Sequence, residues 1–158
     1  MRRLRALLVV LPVVGLSLLA QGQSASGAVY MSAADVSKGL AGTVAADAAA
    51  GAAVTIAPGI VVRRRTGAGE PQYAIAHPFS TEVYYIVEGS GSLVTGGTLD
   101  PPAPPPADPD IVRSRAIKNG VTRTVGKGDV IVVPPGTPHW FTAIDGTITY
   151  LESRVRVK

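Results

Sequence analysis

The sequence predicts an all-β fold, a sandwich or barrel of short strands, and three observations carry that reading. Nine short runs rich in β-branched residues follow one another from residue 60 onward, at 60–65, 72–76, 82–87, 92–95, 111–117, 121–125, 130–133, 139–143 and 147–157. Tight-turn sequences stand between them: Glu88-Gly89-Ser90-Gly91, Thr95-Gly96-Gly97, Asn119-Gly120 and Asp145-Gly146. Composition agrees. With 18 Gly, 13 Pro, 46% hydrophobic and only 16% charged residues, the chain is neither a disordered polyelectrolyte nor a coiled coil.

The 158 residues amount to about one domain, and residues 1–28 read as a removable signal peptide. Arg2, Arg3 and Arg5 make a positive start, and 6–20 is an uncharged, mostly apolar run broken by Pro12 and Gly15. A spanning helix needs about 20 apolar residues, so no permanent membrane anchor is expected. Ser26 and Ala28 suit the −3 and −1 positions of cleavage after Ala28, with Ala20 as the alternative. The expected location is therefore secreted or periplasmic. Removing the three leader arginines leaves 12 basic against 11 acidic residues, which gives no electrostatic case for nucleic acid. The absence of cysteine excludes disulfides, thiolate metal sites and a cysteine nucleophile.

Residues 29–56 are expected to form an N-terminal helix and connector. Ser32 and Asp35 resemble a capping box, and Val36, Leu40 and Val44 recur every four residues. Gly39 and Gly42 weaken that helix. The β-domain then fills 57–158. Within it, 100–110 holds Pro101, Pro102, Pro104, Pro105, Pro106 and Pro109, a stiff segment that reads as a surface loop because proline cannot join a central strand.

His77 and His139 are the only histidines in the chain. In Gly128 to His139 the order is glycine, five residues, Pro134, one residue, Gly136, two residues, His139. Upstream, His77 is followed by four residues, Glu82, six residues and Gly89. These two spacings resemble the second motif and the second half of the first motif of the cupin superfamily. The resemblance implies an antiparallel jelly-roll barrel holding one divalent transition metal (Fe, Mn, Zn, Ni or Cu) through His77, Glu82 and His139. Two positions depart from the family pattern: Ile75 stands where a further histidine is usual, and Ala143 replaces an asparagine. Three ligands therefore remain, with a vacated place for water or a substrate oxygen.

Local chemistry points the same way. Pro134-Pro135-Gly136 forces a turn that delivers His139 to the start of the next strand, and Pro78 ends one strand at His77 before Glu82 begins another. Alternation puts Glu82, Tyr84 and Ile86 on one face, and His139 and Phe141 on one face. Two imidazoles and a carboxylate converging in a small barrel suit a divalent transition metal with open positions. The competing readings are a satisfied core or loop histidine at His77 and a surface carboxylate at Glu82 paired with an arginine. Tyr84, Tyr85 and Trp140 read as core or rim aromatics. Arg63-Arg64-Arg65 reads as a solvated edge with one inward arginine; the alternative is that Arg63 or Arg65 holds an anionic substrate.

The function this implies is a metal-dependent cupin enzyme of the dioxygenase, decarboxylase, lyase or isomerase type, acting on a small oxygen-rich or anionic molecule. The alternatives are a non-catalytic ligand-binding protein of the same fold, and a metal-free isomerase using His77 or His139 as base and a nearby tyrosine as acid. Fold alone does not choose among them. The expected partner is a small molecule, and a homodimer is compatible with the sequence.

Overall fold

The computed structural model describes residues 27–42, 51–67 and 73–157. All but two residues of the expected signal peptide, and Val44 of the expected helical stripe, lie outside them. The described residues form one helix, α1 (Ala33–Gly42), and ten strands: β1 (Ala52–Ala57), β2 (Ile60–Thr66), β3 (Ala74–Ala76), β4 (Ser80–Thr95), β5 (Thr98–Asp100), β6 (Val112–Ser114), β7 (Ala116–Lys118), β8 (Val121–Gly126), β9 (Val130–Val133) and β10 (His139–Arg156). Every pairing is antiparallel.

The helix begins with a variant of the capping box, in which the return bond comes from the serine hydroxyl instead of its backbone N–H. Asp35 N–H donates to Ser32 Oγ at 3.1 Å, and the Ser32 hydroxyl donates back to Asp35 Oδ2 at 2.6 Å. Leu40 is buried on the inward stripe. Gly39 has a packing reason that outweighs its poor helix propensity: a Cβ there would come within 2.6 Å of Val54 Cγ2 on β1. β1 itself was not expected, since all its residues but Ala57 fell within the 29–56 connector. Its alanines hide the strand pattern, and its place is set by antiparallel pairing with β2 on one side of the sheet.

The large sheet runs β1-β2-β10-β3-β6, and β4 lies against β10 and carries β8 and β9. β5 and β7 form a separate pair. The expected run 111–117 is thus divided between two sheets. The ladder does not close into a ring among the described residues; the architecture is the antiparallel jelly roll.

Two expected turns prove to be creases. The 82–87 and 92–95 runs are one 16-residue strand, β4, and the 139–143 and 147–157 runs are one 18-residue strand, β10. Gly89 (φ 79°) and Gly146 (φ 64°) sit where the β4/β10 register slips between Asp145 and Ile148. A Cβ at Gly89 would overlap the Thr147 carbonyl oxygen. The chain therefore bends there without giving up its strand pairing. The effect is large: Phe141 and Tyr150, nine positions apart in one strand, would be roughly 30 Å apart if it ran straight, yet their ring centroids are 5.5 Å apart. The two creased strands enclose the core, in which Tyr84, Ile86, Leu93, Phe141, Ile148 and Tyr150 are buried together.

Candidate metal centre

The crease brings the two ends of β4 and β10 over one another, and the expected ligands meet there. Glu82, near the start of β4, pairs in register with Arg154 on β10 and Val133 on β9. His139 opens β10, opposite Ile75 on β3 and Thr95 on β4. His77 follows β3, and its carbonyl accepts a 2.8 Å hydrogen bond from Gly136 N–H. The Pro134-Pro135-Gly136 turn, with Gly136 at φ 72°, thus ties the two histidine-bearing segments together. His77, Glu82 and His139 are all buried, and one donor atom from each lies within 4.8 Å of the others.

Hydrogen bonds on the far side of each ring fix which nitrogen faces the centre. His77 Nδ1 lies against the Asp110 carbonyl, and His139 Nδ1 lies 3.1 Å from the Thr137 carbonyl. A carbonyl only accepts, so each Nδ1 carries a proton, and in the neutral ring each Nε2 presents a lone pair. His77 Nε2 is 3.4 Å from Glu82 Oε1, and His139 Nε2 is 3.0 Å from Glu82 Oε2. Cis ligands on a metal with bonds of about 2.1 Å stand about 3 Å apart, and each nitrogen lies near that distance from one oxygen of the carboxylate. His139 Nε2 is buried and makes no well-directed hydrogen bond. Lone pairs aimed at a carboxylate make an electron-rich hole, and with this orphaned nitrogen the donor set is one that could hold a divalent metal.

Glu82 has other partners as well. Arg154 Nη2 and Nε lie 2.7 and 2.8 Å from Oε1, and the Tyr84 hydroxyl donates to Oε2 at 3.0 Å. Burial by itself would raise the Glu82 pKa, but in the metal-free protein with both rings protonated the hydrogen bond and charge of His139, then the charges of His77 and Arg154, outweigh it and hold the carboxyl at about 2. Burial lowers the His77 pKa against the pull of Glu82, which favours the neutral imidazole that a metal needs. Tyr84, wholly buried beside Glu82, is pushed well above the usual tyrosine range.

The sequence reading placed His77, Glu82 and His139 and missed what surrounds them. Tyr84 is a core aromatic, as expected, but its hydroxyl also holds Glu82; Tyr85 is exposed. Two arginines of the 63–65 run face the cavity rather than one. Arg63 and Arg65 line it, while Arg64 pairs with Glu88 on the other face. Arg154 and Glu152 were not singled out, although alternation along β10 puts them in line with Ile148 and Tyr150. Asp110 was also missed. Its carboxylate accepts from Phe79 N–H and the Ser80 hydroxyl at 2.8 and 2.6 Å while its carbonyl orients His77, so the proline-rich loop is anchored to the site. The cavity above the centre has a volume of about 320 Å³, and its wall includes Arg63, Arg65, Arg113, Arg154, Glu152 and Ile75.

Solved structures to which the chain is similar include the DMSP lyase DddQ from Ruegeria pomeroyi DSS-3 (19% identity, TM-score 0.40, covering 63% of this chain and 38% of that one). Others are FeII HppE (16%, 0.44, 66% and 49%) and a recombinant oxalate oxidase in complex with glycolate (20%, 0.41, 63% and 43%). This chain thus spans less than half the length of each. No curated protein sequence matches it. The Cupin family model matches residues 59–151, more than half of the sequence, and the chain belongs to the cupin family.

Proposed function

We propose that this cupin binds one divalent transition metal through His77, Glu82 and His139 and acts as a metal-dependent enzyme on a small, anionic, oxygen-rich molecule. The observation that carries the reading is the pair of Nε2 lone pairs turned toward a buried carboxylate beneath an arginine-walled cavity. When bound, the metal supplies a Lewis acid that polarises a substrate oxygen. The chain's own residues do the rest. Asp110 and Thr137 hold the imidazoles in the ligating tautomer. Arg154 and Tyr84 fix the carboxylate, and the high pKa of Tyr84 keeps its hydroxyl a hydrogen-bond donor at neutral pH. Ile75 leaves one side of the centre open for a substrate oxygen. The arginines favour anions and orient them.

The test is elemental analysis of protein purified without chelator or affinity metal. About one equivalent of a first-row metal is expected, with most of it lost in His139→Ala and a smaller loss in Glu82→Gln, whose amide keeps one ligating oxygen. Full retention in His77→Ala with His139→Ala sinks the reading. One observation favours a second reading, a cupin that binds its ligand without metal: Arg154 and Tyr84 already compensate the buried Glu82 carboxylate. Metal-free protein that binds ligand as well as the loaded form would select it. The expected leader makes the protein secreted or periplasmic, and a mature N-terminus between Gln21 and Met31 on soluble exported protein would support that.

A further inference from the structure

Three of the four arginines in the cavity wall are engaged by the protein. Arg63 Nε sits 2.6 Å from Glu152, Arg154 bridges Glu82 and Glu152, and Arg65 Nε donates to the Tyr150 hydroxyl at 2.7 Å. Arg113 is different: its side chain makes no hydrogen bond or ion pair among the described residues. Its place is defined by register. Arg113 on β6 stands opposite Ile75 on β3, and Ile75 stands opposite His139 on β10. The row Arg113, Ile75, His139 crosses three adjacent strands, and all three residues line the cavity. Strands lie about 4.8 Å apart, so the Arg113 backbone is about 10 Å from that of His139, a gap its long side chain can largely span.

Arg113 also lines a neighbouring groove against Pro104, Pro105 and Pro106, which shares Ile111 with the cavity. It therefore stands at the cavity mouth, on the path between the groove and the histidines. Within the cavity wall four guanidinium groups face two carboxylates, Glu82 and Glu152, so an incoming anion meets net positive charge.

We propose that Arg113 anchors an oxyanion subsite: it takes a carboxylate or phosphate group of a short ligand whose other end sits at His77, Glu82 and His139, with Ile75 packing against the atoms between. The planar fork of arginine matches both oxyanions through paired hydrogen bonds. The apolar residue at the vacated ligand position thereby serves as a platform, and the charge that recognises the ligand lies one strand further out. The subsite rests on the reading of this cavity as the ligand site, and it holds whether or not the ligand is turned over.

The test is titration calorimetry of the processed protein at low ionic strength, with succinate and inorganic phosphate as separate probes and metal content measured in every sample. At least one probe is expected to bind, and the stronger one identifies carboxylate or phosphate as the group recognised. Arg113→Gln should weaken that probe by about tenfold or more, and Arg113→Lys by less. Arg115→Gln, which removes the same charge from an exposed residue outside the cavity wall, should leave binding within about twofold. Equal losses in the Arg113 and Arg115 variants, unchanged binding in Arg113→Gln, or no binding of either probe to metal-replete wild type would each overturn the subsite. Arg113-dependent binding in protein that takes up no metal would retain the subsite and remove the metal centre.

Discussion

The inward face of β4 and β10 changes character along its length. At one end Ile86, Leu93, Phe141, Ile148 and Tyr150 pack an apolar core; at the other, the same alternation presents Glu82, His139, Glu152 and Arg154 to a cavity. Tyr84 is the boundary. Its ring stacks on Phe141 at a centroid distance of 6.5 Å, and its hydroxyl reaches Glu82. Strand periodicity thus sets which side chains point inward and is silent about what the interior is for. Apolar burial stabilises at about 25 cal/mol per Å², whereas buried ion pairs roughly break even against apolar replacements of similar shape. Stability alone therefore does not explain the burial of His77, Glu82, His139 and Glu152.

That contrast can be broken from the apolar end first. Phe141→Ala should lower stability by about 3–5 kcal/mol in denaturant titration, because the two halves of β10 meet through that ring.

At the charged end, Glu152→Leu should cost about 1–3 kcal/mol, since it leaves Arg63 and Arg154 without their shared carboxylate. Adding Arg63→Met should recover much of the loss, and the same titrations check it. Equal costs for the single and double changes would mean that the pair is not coupled.

Acid should separate the two ends as well. His77 is held below its usual 6.5 chiefly by burial, and Glu82 below its usual 4.5 at about 2. In both cases the unfolded chain binds more protons. The stability of metal-free protein should therefore begin to fall as pH drops below about 6.5, and the Glu82 contribution should be lost between about 4.5 and 2. Urea midpoints measured across this range would show it. In His77→Gln the first part of the decline should vanish.

The smallest expected effect is a gain. Ile75 lines the cavity opposite His139, so Ile75→His should add a ligand and tighten metal binding by about tenfold, less any strain from replacing a half-buried apolar residue. Unchanged affinity in a metal titration would mean that an imidazole at this position does not reach the centre.

How much of this was legible in the sequence follows from the range of the interactions. The candidate ligands could be singled out because glycine and proline spacings fix local turns, and the turns fix where His77 and His139 fall. Asn119-Gly120 and Gly96-Gly97 likewise proved to be links between strands. Glu88-Gly89-Ser90-Gly91 and Asp145-Gly146 use the same residues to crease a continuous ladder, a distinction that only the facing strand makes. Arg154 could have been placed on the inward face by alternation from Tyr150, but its pairing with Glu82 joins residues 72 positions apart. The role of Asp110 arises only when a loop lies back over β3 and β4, and no local pattern announces it.

The order in which the strands are made gives β10 a consequence of its own. His77 and Glu82 are near neighbours in sequence, yet the third donor arrives with the last strand of the sheet, which also supplies the partners of β2, β3 and β4. A growing or unfolded chain holds only a fragment of the centre, and long-range strand pairing is the slow part of β-sheet assembly. The metal uptake proposed above would thus follow completion of the fold instead of nucleating it, and a bound ion would certify that the last strand is in place.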